Sequence, residues 1–178
     1  MKTLYLIFLV VFIFRCSPEI QAYTDYDPDY DLWKYRTFDW AQKMNIEQNQ
    51  NPLYYNELND KRIKKSVRNQ LEKRNYQLTA TTPQLILHYH IIVENKSALV
   101  TEPFGYSYGP YWMKRPQQTY TYTQGTLILD LMDTRSNQLV WRGWAVAAVD
   151  QIDSPEKIDK LVETAVRKMF IKFPYARK

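Results

Sequence analysis

The sequence predicts one α/β domain over residues 33–174. It is an α+β two-layer sandwich whose four-stranded mixed or antiparallel sheet carries two helices on one face. Three observations lead there. Four stretches alternate with the period of a half-buried strand. Two others place apolar residues at helical spacing between capping residues. Their order, strand, helix, three strands, helix, packs most economically with both helices on one side of a sheet.

The first strand is read at 35–40, where Tyr35-Arg36-Thr37-Phe38-Asp39-Trp40 alternates and is rich in aromatics. Residues 41–55 are amide-rich and contain Pro52, so they read as loop. A helix over 56–74 follows: Asn56 suits the N-cap, Glu57 the first turn, and Leu58, Ile63, Val67 and Leu71 form a narrow apolar stripe. Asn75 can adopt the left-handed conformation that ends a helix, and residue 76 onward reads as loop. The second strand spans 84–94, with Leu85, Leu87, Tyr89, Ile91 and Val93 on one face and Ile86, His88, His90 and Ile92 on the other.

Residues 95–117 hold Pro103, Gly105, Gly109, Pro110 and Pro116 and read as a long loop. Strands at 119–132 and 139–149 form a hairpin around the turn 133–138, so that Leu127, Leu129 and Leu131 answer Leu139, Trp141, Ala145 and Ala147. The last helix starts at Ser154 as N-cap with Pro155 in the first position. It presents Ile158, Leu161, Val162, Ala165, Val166 and Met169, and Pro174 stops it.

Composition narrows the function classes. Of 178 residues, 45% are hydrophobic and 24% charged, enough apolar material for a packed core. One Cys excludes an intramolecular disulfide and any multi-cysteine metal site. No Gly-rich phosphate loop, nucleophile elbow or Ser/His/Asp spacing is present, so the expectation is a non-enzymatic protein without a cofactor.

Residues 4–14 (LYLIFLVVFIF) are uncharged, mostly apolar, and too short to cross a bilayer, which takes about 20 residues. With Lys2 ahead of them they read as a secretory signal over residues 1–15. Two processing routes compete. One cleaves before Cys16, the lone thiol, which then carries lipid (palmitate among its acyl chains), although Arg15 stands where a small residue is preferred. The other cleaves after Ala22 and releases a soluble secreted or periplasmic chain. Both export the protein. The first leaves residues 16–32 as a lipidated Cys and tether, and puts the protein in the cell envelope of a Gram-negative bacterium, at the outer membrane. Removing residues 1–15 takes away Lys2 and Arg15 and lowers the formal charge from +5 to +3, too little to argue for nucleic acid.

Several blocks, in their joint order, carry a family resemblance: Asp25-Tyr26-Asp27-Pro28, Tyr35-Arg36-Thr37-Phe38-Asp39-Trp40, Asn51-Pro52-Leu53-Tyr54, Pro83-Gln84-Leu85, Pro110-Tyr111-Trp112, Gly125-Thr126-Leu127-Ile128-Leu129-Asp130 and Leu139-Val140-Trp141-Arg142-Gly143-Trp144-Ala145. Over nearly its whole mature length the chain resembles the domain of unknown function 4136 family of bacterial lipoproteins. The resemblance implies an envelope lipoprotein with an α/β sandwich and no assigned activity.

Five features are candidates for function. Phe104, Tyr106, Tyr108, Tyr111, Trp112, Tyr120 and Tyr122 gather in 103–122 as a binding surface for an envelope protein or, in a secreted chain, a glycan. His88 and His90 share a strand face, and with Asp130 they would be the metal site of a hydrolase, the weaker reading. Asp25, Asp27, Asp29 and Asp31 look like a calcium loop but lack its Gly and its twelfth-position Glu. Lys61, Arg62, Lys64, Lys65, Arg68, Lys73 and Arg74 make the first helix basic, as a solvated face or toward anionic headgroups. Arg142, on the strand face opposite Trp141, pairs with Asp130 or stacks on Trp144.

Overall fold

The computed structural model of the chain describes residues 19–41, 51–101, 117–150 and 154–174, with the backbone alone at 99–101, 117 and 118. The elements are β1 (Gln21–Tyr26), a 3-10 turn (Leu32–Lys34), β2 (Thr37–Trp40), α1 (Glu57–Glu72), β3 (Gln77–Leu78), β4 (Leu85–Thr101), β5 (Gln117–Asp133), β6 (Leu139–Ala148) and α2 (Pro155–Phe170). They form one mixed sheet in the order β1-β6-β5-β4-β2-β3. The ladder is antiparallel from β1 to β4 and parallel from β4 through β2 to β3. Parallel β2 and β4 need a crossover, and α1 supplies it.

The sheet has six strands where the sequence predicts four. One added strand, β1, lies inside the stretch read as a tether. Its side chains are mostly exposed and include Asp25, so the hydrophobic pattern is faint. What fixes it is backbone pairing with β6, from Gln21 opposite Val146 to Tyr26 opposite Trp141. Ile20 and Leu32 on either side of it are buried. The other, β3, is two residues long and is held by Gln77 N–H donating to the Arg36 carbonyl at 2.7 Å and Thr79 N–H to the Phe38 carbonyl at 2.9 Å. No side-chain period can announce so short a strand.

Both helices begin where their caps stand. Asn56 accepts from the Asn59 N–H at 2.9 Å, and Ser154 accepts from the Lys157 N–H at 3.3 Å with Pro155 behind it. Asn75 takes the left-handed conformation at φ 65°. The buried stripe of α1 is Asn59, Ile63, Val67 and Leu71, a strict four-residue spacing, and Leu58 points outward at 62% exposure. Arg62 Nε meets Asp159 at 2.5 Å near both helix starts, and Arg74 donates to the Phe170 carbonyl at 2.6 Å near both ends. The two helices therefore run parallel.

They cover one face of the sheet. Phe38, Leu85, Leu87, Leu129, Leu131 and Trp141 lie under them with at most 1% exposure. Trp141 packs on Phe170 and Phe173, ring centroids 5.1 and 5.2 Å away. The hairpin register departs from the expected alternation at Leu131/Met132, where Leu131 pairs with Trp141 and Met132 with Leu139. This bulge buries Val140 and leaves Leu139 39% exposed. Asp133, in the turn, accepts from the Ser136 and Arg135 N–H groups and the Tyr35 hydroxyl. Burial would push its carboxyl up, but these donors outweigh burial and hold it below the usual range.

Candidate binding surface

The other face of the sheet has no helix on it among the described residues. The register aligns one polar row across four strands: Asp25 on β1, Arg142 on β6, Asp130 on β5 and His88 on β4. Arg142 forms a two-pronged pair with Asp130, Nε to Oδ1 at 2.6 Å and Nη2 to Oδ2 at 2.7 Å. The pair resolves the sequence alternatives for Arg142 in favour of Asp130. The bond to Asp130 holds the guanidinium more firmly protonated. Desolvation pushes the His88 imidazole below its ordinary value, His90 adds to the drop, and Asp130 opposes it.

The next row is Tyr23, Trp144, Ile128 and His90. Tyr23 stacks on Trp144, centroids 5.4 Å apart and planes 19° from parallel. Beside it Ile92 is 44% exposed. This face thus pairs wet apolar and aromatic area with an ion pair whose carboxylate is buried and whose guanidinium is half exposed.

β4 and β5 outrun the rest of the sheet. They pair without interruption from Leu85–Asp133 to Thr101–Gln117, whereas β6 follows β5 only as far as Gln124. The residue span 117–122, with its partners 96–101, projects as a two-stranded ribbon about 20 Å long. The sequence reading ends a strand at 94 and assigns 95–117 to loop; in the structure the strand continues through Thr101. Tyr120 and Tyr122 stand on one side of the ribbon, stacked at 6.3 Å and 16°. Their even-numbered positions continue the ladder face of Thr126, Ile128 and Asp130, which is the helix-free side. Lys96, opposite Tyr122, pairs with Glu94 at 2.6 Å.

The structure thus brings Tyr120 and Tyr122 together, on a strand. Phe104, Tyr106, Tyr108, Tyr111 and Trp112 lie outside the described residues, as does Cys16. His88 and His90 do share a face, but both oxygens of Asp130 are taken by Arg142. Among the described residues no group of three His, Cys, Asp or Glu side chains converges on a metal position. Asp27 caps its own turn by accepting from the Asp29 N–H, and Asp31 pairs with Lys34, so the acidic run serves local structure. On α1 and just past its end, Arg62, Lys64 and Arg74 have partners on the fold, and Lys61, Lys65, Arg68 and Lys73 are exposed. Sequence reasoning missed Tyr23; its signal was the alternation of Tyr23 and Asp25, which matches Trp144 and Arg142.

A family model described as a domain of unknown function, DUF4136, matches residues 22–175. The chain belongs to the DUF4136 family. No curated protein matches its sequence. Among solved structures, a PDZ domain protein from Parabacteroides distasonis is 14% identical with a TM-score of 0.51, over 91% of this chain. This chain spans 38% of the length of that protein, and the likeness is one of fold. A PelC dodecamer from Paraburkholderia phytofirmans is 8% identical with a TM-score of 0.47, covering 89% of this chain and all of that one. No helix among the described residues is long and apolar enough to cross a membrane.

Proposed function

We propose that this DUF4136 chain is a non-enzymatic binding or scaffold module of the cell envelope. It is held at the outer membrane by lipid on Cys16 and grips an envelope protein or glycan with its helix-free face and ribbon. One observation carries the reading: Tyr120 and Tyr122 are stacked on a ribbon that outruns the sheet, on the same helix-free face as the Tyr23–Trp144 stack. Flat, half-wet rings with a polar tip give large contact area at small entropic cost. A protein with no partner would gain nothing by holding that area in water.

The anchor fits this placement. Between Cys16 and β1 lie just residues 17–20, which span at most about 14 Å. The chain enters β1 at Gln21, opposite Val146, the end of the sheet from which the ribbon projects. Lipid on Cys16 would put the base of the ribbon near the membrane surface.

The reading is tested by a photo-crosslinking residue at Tyr122 in the full-length chain in its own envelope, against the same group at Lys65 on the outer face of α1. A discrete adduct from 122 and none from 65 is expected. Equal labelling from both positions would overturn the assignment of the surface. Intact mass of the membrane fraction checks the anchor: residues 16–178 plus lipid are expected, and a soluble product beginning at Tyr23 would contradict it.

A further inference from the structure

The core is not uniform along the helices. At their C-terminal ends the large rings of Trp141, Phe170 and Phe173 pack on one another between sheet and helices, each at most 1% exposed. Toward their N-terminal ends several sheet positions are small, Gly125 paired with Ala147 and Ala145 opposite Leu127, and Ala165, past the middle of α2, lines the same space. What remains there is a cavity of about 270 Å³. Protein cores hold few voids larger than a water molecule, and small-molecule sites begin near 300 Å³.

Its wall is mostly hydrocarbon, supplied by residues such as Ile63, Ile91, Val93, Val149 and Leu161, with Tyr54, Asn59 and Thr126 as its polar members. The one amide in the wall, Asn59, is already used: it donates to the Leu53 and Tyr54 carbonyls and accepts from Arg62. A polar ligand would find few partners inside and would lose most of its hydration, whereas an alkyl chain loses nothing. The cavity is open to the outside, since Leu53 lines it and is 75% exposed.

Position names the source. Ile20, the residue before β1, also lines the cavity. The cavity therefore lies at the end of the domain where the chain enters, four residues from Cys16 and at the base of the ribbon. We propose that this cavity takes one acyl chain of a membrane lipid or fatty acid, drawn from the bilayer to which the protein is anchored. The choice of bilayer lipid as source rests on the Cys16 anchor; the alkyl-chain chemistry of the site does not.

The test uses cis-parinaric acid, a fluorescent fatty acid, with full-length protein in wild-type and Cys16→Ser forms. Saturable binding to both forms is expected, with displacement by hexadecanoate and not by butanoate. Ala147→Leu and Ala165→Leu fill the cavity from different elements, so one can report if the other fails to fold. Each should weaken binding about tenfold or more, as loss of two or three buried methylenes implies. Lys65→Ala, on the outer face of α1 away from the cavity, should leave it unchanged. No saturable binding by Cys16→Ser, or binding indifferent to a folded filler, overturns the site. Binding by Cys16→Ser with none by the wild-type chain would show the protein's own acyl group inside and overturn the bilayer source. An unlipidated wild-type chain that still binds would refute the anchor alone.

Discussion

Gly143→Ala should destabilise the domain although it adds one methyl group. A Cβ at this position would sit 2.5 Å from Cη2 and 2.9 Å from Cζ2 of Trp141, and 3.2 Å from Cβ of Met169. Carbon atoms in contact prefer about 3.5–4.0 Å, so the indole would have to retreat by roughly 1 Å. It has nowhere to go: Trp141 is fully buried, with Phe170 and Phe173 rings against it. Overpacking of this kind costs about 1–3 kcal/mol. Ala is better than Gly in a strand by about 0.5–1 kcal/mol, which offsets part of that. The net loss of about 1–2 kcal/mol corresponds to a melting temperature lower by about 2–8 °C in a domain of this size. Urea unfolding followed by tryptophan fluorescence should show a lower midpoint at unchanged slope. Trp141→Phe removes the two atoms in closest conflict, so in that background the cost of Gly143→Ala should shrink by about 1 kcal/mol. A single variant as stable as wild type, or no coupling between the two substitutions, would refute the packing argument.

Three further outcomes follow from the same structure. Arg142→Met strands Asp130, 6% exposed, without its partner; because the guanidinium is 46% exposed, the loss is discounted to about 1–2 kcal/mol. Asp130→Leu added to Arg142→Met should recover part of that loss in urea unfolding. Asn75→Ala should cost about 1 kcal/mol because φ 65° is strained for Ala, while Asn75→Gly should cost nothing. His88, whose folded pKa lies below the ordinary 6.5, makes the unfolded chain the better proton acceptor. Stability should therefore fall as pH drops through about 6.5, and His88→Asn should flatten that slope, as pH-dependent urea midpoints would show.

The parts legible in the sequence are those where side-chain pattern and packing coincide. Leu85, Leu87, Tyr89 and Ile91 alternate because one side of β4 is covered, and Ser154 with Pro155 marks a helix start without ambiguity. The stripe of α1 was misread by one position because Leu58 is apolar and Asn59 is not. Asn59 is buried through hydrogen bonds to the carbonyls of 53 and 54, which no hydropathy pattern encodes. β1 was missed because an edge strand is held by its backbone. The bulge that buries Val140 was missed because a register shift is decided by pairing and not by composition. The candidate surface is half legible: the tyrosines stand out in the sequence, but Pro and Gly in the distal residues hide that their neighbours form a ribbon. The meeting of Tyr23 with Trp144 required β1.

The most direct measurement is retention of the full-length Tyr120→Ala/Tyr122→Ala chain by its own envelope fraction. Stacked rings at the centre of a contact carry roughly 2 kcal/mol or more between them, so affinity should fall at least about twentyfold. The urea midpoint should stay at the wild-type value, since Tyr120 is 51% exposed and the ribbon stands outside the core. Unchanged retention by the folded double variant would contradict the account.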